Sequence, residues 1–306
     1  MRGSIPSQCG AIWSEIDGIG TSKAQARETN ATTNLTGDRP VSPLVHSLQY
    51  KKEVFRTATD LGQFAKEEFG IKNMETITGE VVQAWVKNKI ENGVSKGTLF
   101  NYISHLAKVE IGLEKMATGK GQECQSFGRE DLLVARASLS DLAKTEHVNR
   151  AYKNPGAVMS NLGGKEYLVG RLQLEHGLRV SEAARIEAKQ LVGNSLTFQG
   201  KGGYELTKTL PEDLANAIRE NMQEGRFEIN ANHYRDSIRE SARIEGEKYS
   251  GSHGLRYNFA QNTYTKSLSE NLDKCLSHKA ADRAALSSTS EEMGHHREEI
   301  THHYLG

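Results

Sequence analysis

Arginine, lysine, histidine and tyrosine recur along the C-terminal half of the chain in an order that suits one kind of substrate, a phosphodiester. The stretch His176-Gly177-Leu178-Arg179-Val180-Ser181-Glu182 sets Arg179 in a helix-turn context, and Gly200-Lys201-Gly202-Gly203 sets Lys201 in a tight turn. Further on stand His253-Gly254-Leu255-Arg256, then Gly294-His295, and nine residues beyond that histidine Tyr304, followed only by Leu305 and Gly306. A guanidinium stays protonated and presents paired donors matched to phosphate oxygens. Imidazole titrates near neutrality, and a phenolic oxygen can act as a nucleophile. Any one fragment recurs by chance, whereas their order, local contexts and the His295-to-Tyr304 step make the set specific.

The set Arg179, Lys201, His253-x-x-Arg256, Gly294-His295, Tyr304 resembles the tyrosine recombinases, the phage-integrase group of DNA strand-exchange enzymes. The resemblance spans most of the C-terminal half. Cutting DNA by transesterification needs a nucleophile, a donor to the leaving 5′ oxygen, and fixed positive charge where the phosphorane accumulates negative charge. Tyr304 is expected to attack the scissile phosphate, leaving a 3′-phosphotyrosine bond and a free 5′-hydroxyl. The covalent link retains the phosphodiester's energy for rejoining, so neither ATP nor another cofactor is implied. Arg179 and Arg256 are expected on the non-bridging oxygens, doing what metal ions do in nucleases. His253 accepts or positions the tyrosine proton and His295 hydrogen-bonds the phosphate. The resemblance implies that Lys201 protonates the leaving oxygen; on residues alone it reads as a surface-turn lysine. Glu182, one helical turn from Arg179, reads equally as an orienter of the site and as a helix-surface ion pair.

Two features depart from the family pattern. The interval from Arg256 to His295 is longer than usual, and its text from Asn271 to Glu292 is polar and alanine-rich, like a solvated helix or loop. His296 is the alternative to His295, but the nine-residue step favours His295. Little follows Tyr304, where relatives often continue into a tail that packs on a neighbouring protomer. A metal site is the competing reading of His295, His296, His302 and His303, with Cys275 and His278 upstream. No second ligand pair stands at zinc-finger spacing, so the segment is read as a histidine-rich helix and no metal is expected.

At 306 residues the chain suggests two domains on a prior of about 150 residues each. No stretch approaches the roughly 18 apolar residues of a membrane span, the first residues lack a secretory h-region, and Cys9, Cys124 and Cys275 show no pairing pattern; a soluble, cytoplasmic, nucleoid-associated protein is expected. Lys plus Arg equals Asp plus Glu at 39 each, which excludes a uniformly basic DNA binder while leaving room for a basic groove on one face.

Residues 1–41, rich in Ser, Thr, Asn and Gly, read as a flexible arm. A helix is expected from Ser42-Pro43 to Gly70, a second from Thr78 to Asn92, a third from Ser95 and a fourth over Arg129 to His147. Asn154-Pro155-Gly156 reads as a linker. The third helix mixes Lys96, Thr98, Asn101 and Tyr102 with an apolar face, which fits either a phosphate grip or a solvated helix face; the resemblance favours the former. Beyond a helix over Lys165 to Glu175, two alternating stretches flank the Lys201 turn as a hairpin, and Pro211 opens a further helix.

The expectation is therefore a mainly α fold with a small antiparallel β-sheet (α+β). An arm over 1–41 precedes a helical core-binding domain over 42–148 and a catalytic tyrosine-recombinase domain over 149–306, in a C-shaped DNA clamp. The implied activity is site-specific recombination, for integration or excision of a mobile element ahead of dimer resolution or telomere resolution. The implied partners are double-stranded recombination sites, a homotetramer across two of them, and accessory DNA-bending or directionality factors. The rival is a non-catalytic DNA-binding protein on the same fold.

Overall fold

The computed structural model describes the chain except residues 30–31, 38–39, 144–147, 201–203, 275–276, 296–297 and 306. It comprises two compact units, Met1–Glu146 and His147–Gly306. Among the described residues no helix is long and apolar enough to cross a membrane.

The first unit is helical. Helix α1 (Ile5–Ile16) is followed by α2 (Lys23–Thr29) and a two-residue antiparallel pair, β1 (Thr32–Thr33) with β2 (Pro40–Val41). Then come α3 (Leu48–Phe69), a 3-10 turn at Met74–Thr76, α4 (Gly79–Glu91), α5 (Lys96–Gly119) and α6 (Arg129–Ala137). The segment expected to be an arm thus contains α1, whose Ile5, Cys9, Ile12, Trp13 and Ile16 are all buried in the core of this unit. Those positions share one face at helical spacing, and burying that face outweighs the loop-like composition of the text that follows. At Gly112 of α5 an added Cβ would stand 2.6 Å from Ile12 Cγ2, so the glycine permits the close approach of the two helices.

The third helix of the chain starts at Leu48, later than Ser42-Pro43. Ser42 Oγ accepts from Leu44 N and Val45 N donates to Ile16 O, which ties this text to the end of α1 as extended chain. Ser47 caps α3 by accepting from Tyr50 N, and Gly70 ends it in the left-handed region at φ 69°. Helix α6 stops at Ala137 rather than at His147, well short of the expected length.

In the second unit α7 (Pro155–Ser160) begins where a linker was expected, because Asn154 accepts from Ala157 N and Pro155 takes the first helical position. Helices α8 (Gly164–His176) and α9 (Val180–Ala183) precede β3 (Arg185–Glu187), a 3-10 turn at Ala188–Gln190, β4 (Leu191–Val192), β5 (Ser195–Gln199) and β6 (Glu205–Thr209). The expected hairpin is present in antiparallel register from Ser195↔Thr209 to Gln199↔Glu205. Helix α10 (Glu212–Glu220), β7 (Arg226–Glu228), α11 (Ala231–Ile244), α12 (His253–Asp273), α13 (His278–Glu292) and α14 (Glu298–Leu305) complete the chain. Strand β7 pairs antiparallel with β3 through buried Ile186 and Phe227. The expected mainly α fold with a small antiparallel sheet is what the structure has.

Candidate active site

Of the solvated helix or loop expected for the alanine-rich interval, the structure has a helix, and one packed on another helix rather than solvated all round: α13 buries Ala281, Ala285, Leu286, Thr289 and Ser290. Small side chains allow that close packing and let α12 run on from His253 while the chain returns to Met293 and His295. Helix α12 is fixed at its start. An added Cβ at Gly254 would stand 2.5 Å from the Tyr152 ring and 2.9 Å from Arg150 O. One turn later Asn258 bonds the Tyr152 backbone both ways, accepting from its N at 3.0 Å and donating to its O at 2.8 Å.

Arg256, between Gly254 and Asn258 in sequence but on another face of α12, is 1% exposed. Its Nη1 donates to Gly177 O, and its Nη2 donates to Met293 O at 2.6 Å and to His295 Nε2 at 3.1 Å. A guanidinium can only donate, so His295 Nε2 must be an acceptor and its proton sits on Nδ1. The two carbonyls that hold Arg256 are set by glycines. Gly177 ends α8 at φ 69°, with its missing Cβ position 2.4 Å from the Phe259 ring. Gly294, at φ 62°, turns the chain after Met293 against Leu206. Arg256 Nε is buried without a hydrogen-bond partner, and among the described residues no carboxylate is in an ion pair with this side chain, though the more distant charge of Glu182 favours it. Burial and the like charge of Arg179 both pull its pKa down. A buried cation lacking a carboxylate suits an incoming anion.

Tyr304 comes to this cluster on α14 and is 8% exposed. Its Oη lies 2.9 Å from His253 Nε2. Its ring centre stands 4.5 Å from that of Tyr257, 5.0 Å from His295 and 5.9 Å from the Arg256 guanidinium carbon. Gln261 Nε2 donates to Tyr304 O at 3.0 Å and ties α14 to α12. Burial pushes the His253 imidazole pKa down to about 4, helped by the charges of Arg256, Arg150 and Arg179. The ring is therefore neutral at physiological pH and able to accept a proton. Tyr257 is buried beside Tyr304, and both burial and that neighbour push its phenol up.

Arg179 precedes α9, where Glu182 does two jobs at once. Its Oε2 accepts from Arg179 N at 2.7 Å and its Oε1 accepts from Arg179 Nη1 at 2.8 Å. The Glu182 side chain is 8% exposed, so this is an orienting contact rather than a solvated surface pair. A cavity of about 550 Å³ opens beside it, lined by Arg179, Ser181, Glu182, Arg185 and Gly200 among others. An added Cβ at Gly200 would stand 3.9 Å from Arg179 Nη1, so the hairpin strand reaches Arg179. Lys201 itself lies outside the described residues.

In the first unit, the residues expected to contact DNA are differently occupied. Lys96 Nζ donates to Ser140 O at 2.8 Å and Leu142 O at 2.9 Å, closing the turn after α6. Thr98 shares a hydrogen bond with Ser95 at the start of α5, and the Tyr102 ring packs 5.7 Å from that of Trp85. Asn101 is exposed. Among the described residues no group of three or more His, Cys, Asp and Glu is placed to hold a metal ion; Cys275 and His296 lie outside them.

The sequence reading missed Tyr257, Gln261 and the carbonyls of Gly177 and Met293. Tyr257 and Gln261 were visible only as residues one and five positions after Arg256, and nothing in their types marks them until α14 is laid against α12.

No family sequence model matches this chain, and no curated protein matches it. Solved structures resemble it at low identity. One is a lambda integrase (75–356) dimer bound to a COC′ core site, at TM-score 0.53 and 13% identity, covering 85% of this chain and 89% of that one. Another is the Tn1549 transposon integrase in complex with a circular intermediate DNA, at TM-score 0.52 and 11% identity, covering 98% of this chain and 95% of that one. A second lambda integrase structure bound to DNA has TM-score 0.50 at 12% identity, covering 74% of this chain and 82% of that one. The chain has the fold of these integrases.

Proposed function

We propose that this chain is a tyrosine recombinase that cuts and rejoins duplex DNA through a covalent 3′-phosphotyrosine. The observation that carries the reading is Tyr304 Oη at 2.9 Å from a neutral His253, beside a buried Arg256 that no described carboxylate neutralises. His253 takes the phenolic proton as Tyr304 Oη forms its bond to phosphorus. Arg256, His295 and Arg179, the last held by Glu182, bind the non-bridging oxygens as charge grows on them. The bond from phosphorus to the 5′ oxygen breaks, and Lys201 supplies the proton that oxygen takes up. A 5′-hydroxyl from a second strand reverses the step. The same reading assigns the protein to integration or excision of a mobile element, acting as a tetramer on two double-stranded sites, with accessory bending or directionality factors. In it the Met1–Glu146 unit takes the core-binding role, and the exposed Asn101, with Lys96, Thr98 and Tyr102 nearby on α5, faces the DNA backbone.

The test is incubation with nicked suicide duplexes sampling the flanks of the protein's own coding locus, in the presence of a chelator, followed by denaturing gel analysis. The expected result is a protein–DNA adduct with the wild type and none with Tyr304→Phe. Retarded complexes with no adduct would support a non-catalytic DNA-binding protein instead.

A further inference from the structure

The second unit carries a cavity of about 510 Å³ beside His253, lined by Asn149, Arg150, Arg235, Lys248, Ser250 and His253 among others. Among the described residues no carboxylate lines it. That is unusual in a chain where acidic and basic residues are equal in number. Among the described residues none of its three cations is in an ion pair. Arg150 Nη2 donates to Ser250 O at 2.8 Å and Arg235 Nη1 donates to Asn232 Oδ1 at 2.6 Å, both neutral acceptors that aim the guanidinium without cancelling its charge. Of the acids near these cations in sequence, Glu247 accepts from the backbone N–H groups of Lys153 and Asn154, Asp236 pairs with Arg239, and Glu245 accepts from Asn161. Converging cations with no counter-charge raise the local positive potential and attract anions.

The pocket is coupled to the candidate active site through one residue. His253 forms part of its wall, while His253 Nε2 bonds Tyr304 Oη. Arg150 is also among the charges that hold His253 neutral.

We propose that Arg150, Arg235 and Lys248 form a binding site for a DNA backbone phosphate next to the one attacked by Tyr304. The proposal rests on the strand-cutting reading for its position, and it supplies a basic face that the neutral total charge conceals. Phosphate contacts of this kind fix the register of the duplex without reading bases. They hold the scissile bond in line with the nucleophile.

The test measures binding of a random-sequence duplex by fluorescence anisotropy at a series of salt concentrations, with Arg150→Gln, Lys248→Gln and the double variant. Each lost phosphate contact lowers the slope of log K against log salt by about 0.9, so the double variant should fall by nearly twice that. Lys266→Gln, on the far part of α12 and 79% exposed, should leave the slope unchanged. Slopes unchanged in the pocket variants, or lowered equally by Lys266→Gln, would overturn the site. Running the suicide-duplex assay on the same proteins separates the two readings. A Tyr304-dependent adduct with unchanged slopes removes the pocket alone, while lowered slopes with no adduct from any protein keep a DNA contact and remove the strand-cutting reading.

Discussion

His253 is the residue whose chemistry the surroundings alter most. Its folded pKa, about 4, lies below the ordinary histidine value near 6.5 because burial and three arginines oppose a further charge. Between those two values the unfolded chain binds more protons than the folded one. The stability that goes with a neutral His253 is therefore complete above about pH 6.5 and is lost as pH falls toward 4, by an amount on the order of 3 kcal/mol. His253→Gln, which keeps a polar partner for Tyr304, is expected to flatten that part of the stability curve in denaturant titrations from pH 7 to 4. A proton NMR titration of the free protein should find the His253 midpoint near 4; a midpoint near 6.5 would show that the ring is more hydrated and less crowded by charge than the structure has it. Glu182 illustrates the same dependence on surroundings: its side chain is 8% exposed and holds both the backbone N–H and the guanidinium of Arg179.

At the scale of elements, the site depends on where α8 stops. Gly177 ends it in a left-handed conformation and turns its carbonyl onto Arg256 Nη1, with the Phe259 ring filling the space a side chain would need. Gly177→Ala is therefore expected to cost roughly 2 kcal/mol in stability. It should also weaken adduct formation through displacement of Arg256. Gly193→Ala is the control, since that glycine has φ 55° but open space around its Cβ position. It should lose about 1 kcal/mol at most and keep full adduct yield. Thermal unfolding together with the suicide-duplex assay reads both effects, and equal behaviour of the two variants would refute the role given to the α8 terminus.

For the whole molecule, each unit has its own core, so damage to one should stay within it. Ile12 is 2% exposed in the core of the first unit, and Ile12→Ala is expected to cost about 3 kcal/mol there. Hydrogen exchange should show lost protection in α3, α4 and α5 and unchanged protection in α8 and α12; a silent substitution would restore the view of residues 1–41 as an arm. The mostly helical class with one hairpin was legible in the amino-acid sequence, and Arg179, His253, Arg256, His295 and Tyr304 stood out there as a candidate set, because cap residues, period and a spaced motif are local properties. The sequence alone misread α1, since a short amphipathic helix is stable only when its Ile5, Ile12 and Ile16 face finds a partner, and that partner is α5, about a hundred residues away. It also could not see Tyr257 behind Tyr304, the carbonyls that hold Arg256, or three cations gathered beside His253 with no ion pair among the described residues. Those relations join residues from distant parts of the chain, and only the packing of α14, α8 and α11 around the start of α12 decides them.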